Sequence, residues 1–130
     1  METDSGGSPV KQRSPATNGK ATASQAISSG MVAIYKEHLG RGPTKAQTTI
    51  QENMVVTVLQ DSLTKAEQTL AAVDGARTVR ELRRRMQDAM ATDMTRLIET
   101  TLYREVRCLL SDHSPDPDYA VEVLILSPEN

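Results

Sequence analysis

From Val79 to about Tyr103, apolar side chains return every three or four residues, at Val79, Leu82, Met86, Met90, Met94, Leu97, Ile98 and Leu102. This period predicts one long helix with a single apolar stripe. At about 1.5 Å per residue the helix would run about 37 Å, so it needs a broad apolar surface to lie on. Two β-rich stretches flank it and can supply that surface. Upstream, "AQTTIQENMVVTVLQ" is β-branched with Glu52-Asn53 as its most turn-like point, which predicts a hairpin of strands Lys45–Gln51 and Met54–Gln60. Downstream, "EVRCLL" and "YAVEVLIL" predict a second hairpin joined by the polar loop "SDHSPDPD", whose prolines cannot continue a ladder.

The remaining elements follow from capping signals. Residues 1–23 are dominated by Ser, Gly, Pro, Thr, Asn and Lys and read as a disordered tail, because they offer little apolar surface to offset ordering entropy. Ser24 is the expected N-cap of a first helix over 24–39, carrying Ile27, Met31, Ile34, Tyr35 and His38 and stopped at Gly40. Thr64 with Glu67, and Thr78 with Glu81, form two capping boxes, with Asp74-Gly75 separating a short helix from the long one. The fold class is therefore α+β over residues 24–127, in the order α-ββ-α-α-ββ. Its four-stranded sheet should be mostly antiparallel and covered by helices on one face. At period two, Val106, Cys108 and Leu110 and, on the other strand, Tyr119, Val121, Val123 and Ile125 are the expected core-facing sets. Arg107 and Glu122 would then pair across the outer face, beside Leu109, Leu124 and Leu126.

At 130 residues the chain has room for one domain and a tail. The net charge of -2, from 15 cations and 17 carboxylates, gives no global field for nucleic acid or an anionic membrane. Three tyrosines are the only aromatic residues, so the core is aliphatic and thin, which favours oligomerisation or a partner surface. The single cysteine, Cys108, excludes an internal disulfide and a Cys-rich zinc site and fits a reducing compartment. With no apolar leader and no run long enough to span a bilayer, the expected location is cytoplasmic, with any membrane role peripheral.

Two cationic features stand out. "GRGPTK", Gly40–Lys45, packs two glycines, a proline and two cations behind a helix, but a P-loop needs strand before and helix after, and here the order is reversed. What remains is a helix stop that places Arg41, Gly42, Thr44 and Lys45 at a helix C-terminus, where cations are favoured. "RTVRELRRRM" places Arg77, Arg80, Arg83, Arg84 and Arg85 at the start of the long helix, where the macrodipole disfavours them. Pairs of Glu81 with Arg85 and Arg77, and of Arg84 with Asp88, would offset part of this.

Other chemistry is sparse. Asp112, Ser114, Asp116 and Asp118 fit the first positions of a calcium loop, but Pro117 and Val123 stand where Gly and Glu are required. His38 and His113 are the only histidines, Cys108 is expected in the core, and no paired carboxylates sit on a catalytic frame. No catalytic residue, metal or cofactor is expected. Met86, Met90 and Met94 form a stripe suited to a core or a dimer surface.

"YKEHLGRGPTKAQTTIQENMVVTVLQDSLTKAEQTLA", "VRELRR" and "SDHSPDPDYAVEVLIL" together resemble the MpsC-like domain family, named for a Na+-translocating membrane-potential-generating system. The similarity runs over about residues 25–126. It implies a soluble accessory domain linked to membrane energetics or to ion and bicarbonate handling, with no established catalytic residue. It also raises the standing of the GRGPTK turn, which is part of the resemblance.

The expected function is a non-enzymatic regulatory binding module, a homodimer that docks on a protein such as a membrane transport complex. Arg41 and Lys45 would meet an acidic group, and Arg80, Arg83 and Arg84 would form a second basic edge. The alternatives are a small-anion or nucleotide sensor using the turn, and RNA binding through the arginine-rich helix start.

Overall fold

The computed structural model describes residues 15–129. Its elements are α1 (Pro15–Leu39), β1 (Lys45–Gln51), β2 (Met54–Gln60), α2 (Lys65–Asp74), α3 (Ala76–Leu102), β3 (Val106–Pro115) and β4 (Asp118–Leu126). The strands form one antiparallel sheet in the order β1-β2-β4-β3. Helices α1 and α3 pack against each other and on one face of the sheet, α1 against β1 and α3 against β3, while α2 packs on α3. The core lies between them. Ile27, Met31 and Tyr35 enter it from α1, Met90, Met94 and Ile98 from α3, and Val55, Leu59, Ala120, Leu124 and Leu126 from the sheet.

The α+β class, the element order and the first hairpin match the sequence reading, and four features differ. Helix α1 already runs through Pro15 to Ser24 rather than starting near Ser24, a stretch that carries Ala16, Ala21 and Ala23. The tail expected over 1–23 otherwise lies outside the described residues. Helix α3 starts at Ala76 with Gly75 as N-cap and no side-chain cap bond, so Thr78 is already inside the helix and its capping box does not form. The Thr64–Glu67 box does form, with Glu67 N donating to Thr64 Oγ1 at 3.1 Å and Thr64 N to Glu67 Oε1 at 2.8 Å. The expected loop after Leu110 is mostly strand. Residues 111–115 extend β3, and Pro115 is tolerated because it closes an edge strand.

The fourth difference decides which face is which. Ala120, Glu122, Leu124 and Leu126 are buried against the helices, whereas Tyr119, Val121, Val123 and Ile125 lie on the opposite face. In β3, the register steps from Val106↔Leu126 to Cys108↔Ile125. Arg107 is thus the extra residue of a bulge, which puts both Val106 and Leu109 on the helix side and leaves Cys108 exposed. Val106 faces the core as expected, and the rest of the expected core sets are inverted. Arg107 and Glu122 do not pair, because Glu122 points inward opposite Ser111.

Candidate functional site

The GRGPTK turn is a helix stop joined to the sheet. Gly40 takes φ +78° and its N–H donates to Lys36 O at 2.9 Å, closing α1. A Cβ on Gly42 would sit 3.2 Å from Val32 Cγ1, so the chain runs close against α1 there. Pro43 is buried, and Thr44 N donates to Gln60 O at 3.1 Å. Arg41 pairs with Asp61 at 3.0 Å, both side chains well exposed, which is worth at most about 1 kcal/mol. Lys45 is exposed and opens β1. The backbone amides of Gly40 and Thr44 are thus used within the fold. Gly40→Ala should cost about 1–2 kcal/mol from the left-handed backbone alone, since nothing lies within 4 Å of the added methyl. An unchanged midpoint in chemical denaturation would show that the turn does not hold that conformation.

The arginines at the start of α3 divide into two groups. Arg83 is fully buried. Its Nε and Nη2 donate to Glu67 Oε2 and Oε1 at 2.6 and 3.0 Å, and Nη1 and Nη2 donate to Ser62 Oγ and O at 3.0 and 2.6 Å. It therefore anchors α3 to the start of α2 and takes no part in a surface edge. Arg80 and Arg84 are exposed, and among the described residues neither has an ion pair or hydrogen bond. The pairs expected for Glu81 and Asp88 do not form. Arg80 and Arg84 instead line a cleft of about 470 Å³ with Val58, Asp112, His113, Ser114, Tyr119, Ala120 and Val121.

Strand register orders the rest of the sheet into cross-strand rows. On the helix side, Thr48, Thr57, Glu122 and Ser111 form one row, and Ala46, Leu59, Ala120 and His113 the next. Glu122 accepts from Tyr35 Oη at 2.5 Å and from Ser111 Oγ, with Gln87 against it. Burial pushes the Glu122 carboxyl above the usual carboxylate range, although the donors Ser111, Tyr35 and Gln87 and the Arg83 charge oppose it. Burial, together with the neighbouring carboxylate, pushes the Tyr35 phenol far up. Burial also acts on Glu67, but the bonds from Arg83 and Thr64 outweigh it and hold that carboxyl below its ordinary value. Sequence reasoning missed this row. Its one visible signal is a lone carboxylate, Glu122, in the apolar strand "YAVEVLIL".

The outer rows carry the opposite chemistry. Gln47, Val58, Val121 and Asp112 form one, Thr49, Val56, Val123 and Leu110 the next, and Gln51, Met54, Ile125 and Cys108 the last. Lys45, Gln60, Tyr119 and Ser114 cross the end nearest the cleft. Leu110, Tyr119 and Met54 are 57, 43 and 39% exposed, and none of the outer apolar residues belongs to the core. Elsewhere, His38 Nε2 meets Asp93 Oδ2 at 2.9 Å, with Glu37 beside them, a link between α1 and α3.

Residues 19–128 match the family model described as Na+-translocating membrane potential-generating system (MpsC). The chain belongs to the MpsC family. Neither a search of curated proteins nor one of solved structures returns a match. Among the described residues of this MpsC domain, no helix is long and apolar enough to cross a membrane. The family description names a membrane system, so the surfaces of the MpsC domain are the places to look for its connection to one.

Proposed function

We propose that this MpsC domain is a non-enzymatic accessory module that acts by binding another protein through the outer face of its sheet. The observation that carries this reading is the apolar field of Met54, Val56, Val58, Val121, Val123, Ile125, Cys108 and Leu110, while α1 and α3 both lie on the other face. With strands about 4.8 Å apart and same-face residues about 6.7 Å apart, the eight residues cover roughly 260 Å². A patch of that size approaches the few hundred Å² at which apolar patches mark interaction sites on single chains, and is about a third of one side of a standard interface. Binding by the field alone would be transient, so the flanking charges matter. Arg80 and Arg84 at one end, with Lys45 on the adjoining row, favour a partner that presents an apolar surface and an acidic group. Arg41 adds to this only if it exchanges Asp61 for the partner. Such a module is cytoplasmic and peripheral to the membrane system for which the family is named.

The test is capture by the full chain from the native cell, with soluble and gently solubilised membrane fractions kept apart and the recovered proteins identified. Leu110→Asp/Val123→Asp and Arg80→Glu/Arg84→Glu variants run beside the native chain. The expected result is recovery of subunits of an ion-transport complex by the native chain and loss of at least about tenfold in both variants, about 1.4 kcal/mol or more in binding. Equal recovery by native and variant chains would sink the reading. A dimer at micromolar concentration that Leu110→Asp/Val123→Asp makes monomeric would assign the face to a second copy of the chain instead.

A further inference from the structure

We propose that the free edge of β1 pairs with the β1 edge of a second copy of this chain, antiparallel about a two-fold axis at Thr48, so that two four-stranded sheets become one of eight strands. This edge is separate from the outer sheet face, so the proposal is independent of the docking reading.

The two edges of the sheet differ. β3 carries the bulge at Arg107 and closes on Pro115, two features that keep an edge strand from accepting a neighbour. β1, at the other edge, is seven residues long and pairs with β2 in unbroken register, without a bulge or a proline. An edge strand turns the N–H and C=O of alternate residues away from its neighbour. Among the described residues, no backbone group of Lys45–Gln51 bonds to anything but β2. Such an edge is a template for a further strand. The inward side of β1 is also unfinished. Val55, Thr57 and Leu59 of β2 are fully buried, whereas Ile50, Thr48 and Ala46 opposite them on β1 are half-buried, although α1 reaches over them with Ser28 Oγ 2.8 Å from Thr48 Oγ1.

The sequence of β1 fits a second copy of itself. About an axis at Thr48, Ala46 falls opposite Ile50, so a small side chain meets a large one and both are shielded further. Thr48 meets Thr48, a favourable cross-strand pair. Lys45 at one end of the strand and the exposed Glu52 just beyond the other come together twice, one residue off register, and no like charges face each other. Parallel pairing would instead set Lys45 against Lys45. The helix layer fits as well. Helices α1 and α3 share the width of four strands, about 19 Å. The axis of α1 then stands about 2.4 Å inside β1, and the two copies of α1 would run about 9.6 Å apart, an ordinary packing distance. A strand about 24 Å long, in two layers about 20 Å deep, buries about 500 Å² on each copy and about 1,000 Å² in all, where specific interfaces begin.

The experiment measures the mass of the full chain by sedimentation from about 1 to about 100 μM, the range in which an interface at this lower size limit associates. A dimer at the upper end is expected. Gln47 and Thr49 are exposed and fall opposite each other across the axis, so Gln47→Lys/Thr49→Lys and Gln47→Glu/Thr49→Glu each oppose like charges at both crossings. Either variant alone should associate at least about tenfold more weakly, while its urea midpoint at about 1 μM stays close to the native one. The two variants mixed should recover a mixed dimer, a rescue that a merely structural effect would not give. Leu110→Asp/Val123→Asp should leave the dimer intact, which separates this edge from the docking face. In the native chain, the amides of residues 46–50 should exchange with solvent more slowly at about 100 μM than at about 1 μM, a readout that needs no variant. A chain that stays monomeric at about 100 μM, a dimer that both charge variants keep, charge variants that do not associate on mixing, amides of β1 unprotected at the higher concentration, or a dimer lost in Leu110→Asp/Val123→Asp overturns the proposal.

Discussion

Replacing Arg83 by alanine should destabilise the domain by about 3–5 kcal/mol, the usual cost of breaking a buried ion pair by removing one partner. Four hydrogen bonds leave with the guanidinium, two from Glu67 and two from Ser62. The carboxylate left behind is buried and still held in place by its capping bond from Thr64. The sign of the pair's net worth is a separate matter, since taking both charges out of water is itself costly. Arg83→Met/Glu67→Gln should therefore lose less than the sum of the single changes, with a coupling of about 2 kcal/mol in a double-mutant cycle by urea unfolding. Gln keeps the acceptor for Thr64 N, so the α2 cap survives in that background. The pair also shapes the acid limb. Glu67 titrates below its unfolded value, so its contribution is present above about pH 4.5 and is lost as pH falls through the lowered folded pKa. A loss under about 1 kcal/mol for Arg83→Ala would mean that Glu67 and Ser62 find water instead, and that this end of α3 is more open than the structure shows.

Much of the architecture was legible because local signals and tertiary packing agreed. The hairpin over 45–60, the Thr64–Glu67 box and the α3 stripe are each written in adjacent residues, and the structure keeps them except at Leu82, which is exposed while Arg83 is buried. What misled was the assumption that the more apolar face of β4 faces the core. Tyr119, Val121, Val123 and Ile125 are the more hydrophobic set, yet the buried set contains Glu122. Tyr35, 87 residues away in sequence, Ser111 on the neighbouring strand, and Gln87 and Arg83 on α3 explain how that carboxylate is tolerated. Periodicity has no access to partners that distant. The bulge at Arg107 is a second case, since strict alternation cannot put Val106 and Leu109 on one face. Among the expected site residues, the five-arginine run gave the right helix but could not say that Arg83 turns inward while Arg80 and Arg84 stay out. That split depends on where Glu67 and Ser62 stand. Nothing in the sequence distinguishes His113 from His38, because its unpartnered buried nitrogen exists only once the strand has formed.

The inverted faces make Glu122 the most informative position in the sheet. Glu122→Ala should cost about 2–5 kcal/mol, because it leaves a cavity and strips the Tyr35 and Ser111 hydroxyls of their acceptor in a dry interior. Glu122→Gln keeps the volume and an acceptor oxygen but removes the charge, and its effect should depend on pH. The folded carboxyl holds its proton more tightly than the unfolded one, since burial raises its pKa. Its favourable contribution is therefore fully present below the ordinary value near 4.5 and is lost as pH rises through the folded pKa. Glu67 acts in the opposite direction, so the native chain should be most stable at mildly acidic pH, between the loss of the Glu67 pair below and the ionisation of Glu122 above. In Glu122→Gln the upper limb should flatten, and the variant should gain on the native chain as pH increases towards neutrality. Urea midpoints across mildly acidic to neutral pH for the native chain and both variants test this directly. If Gln costs as much as Ala at every pH, the carboxylate is ionised throughout and its charge is what holds Tyr35 and Ser111. In that case the row Thr48, Thr57, Glu122 and Ser111 would have to be read as an electrostatic anchor rather than a neutral hydrogen-bonded one.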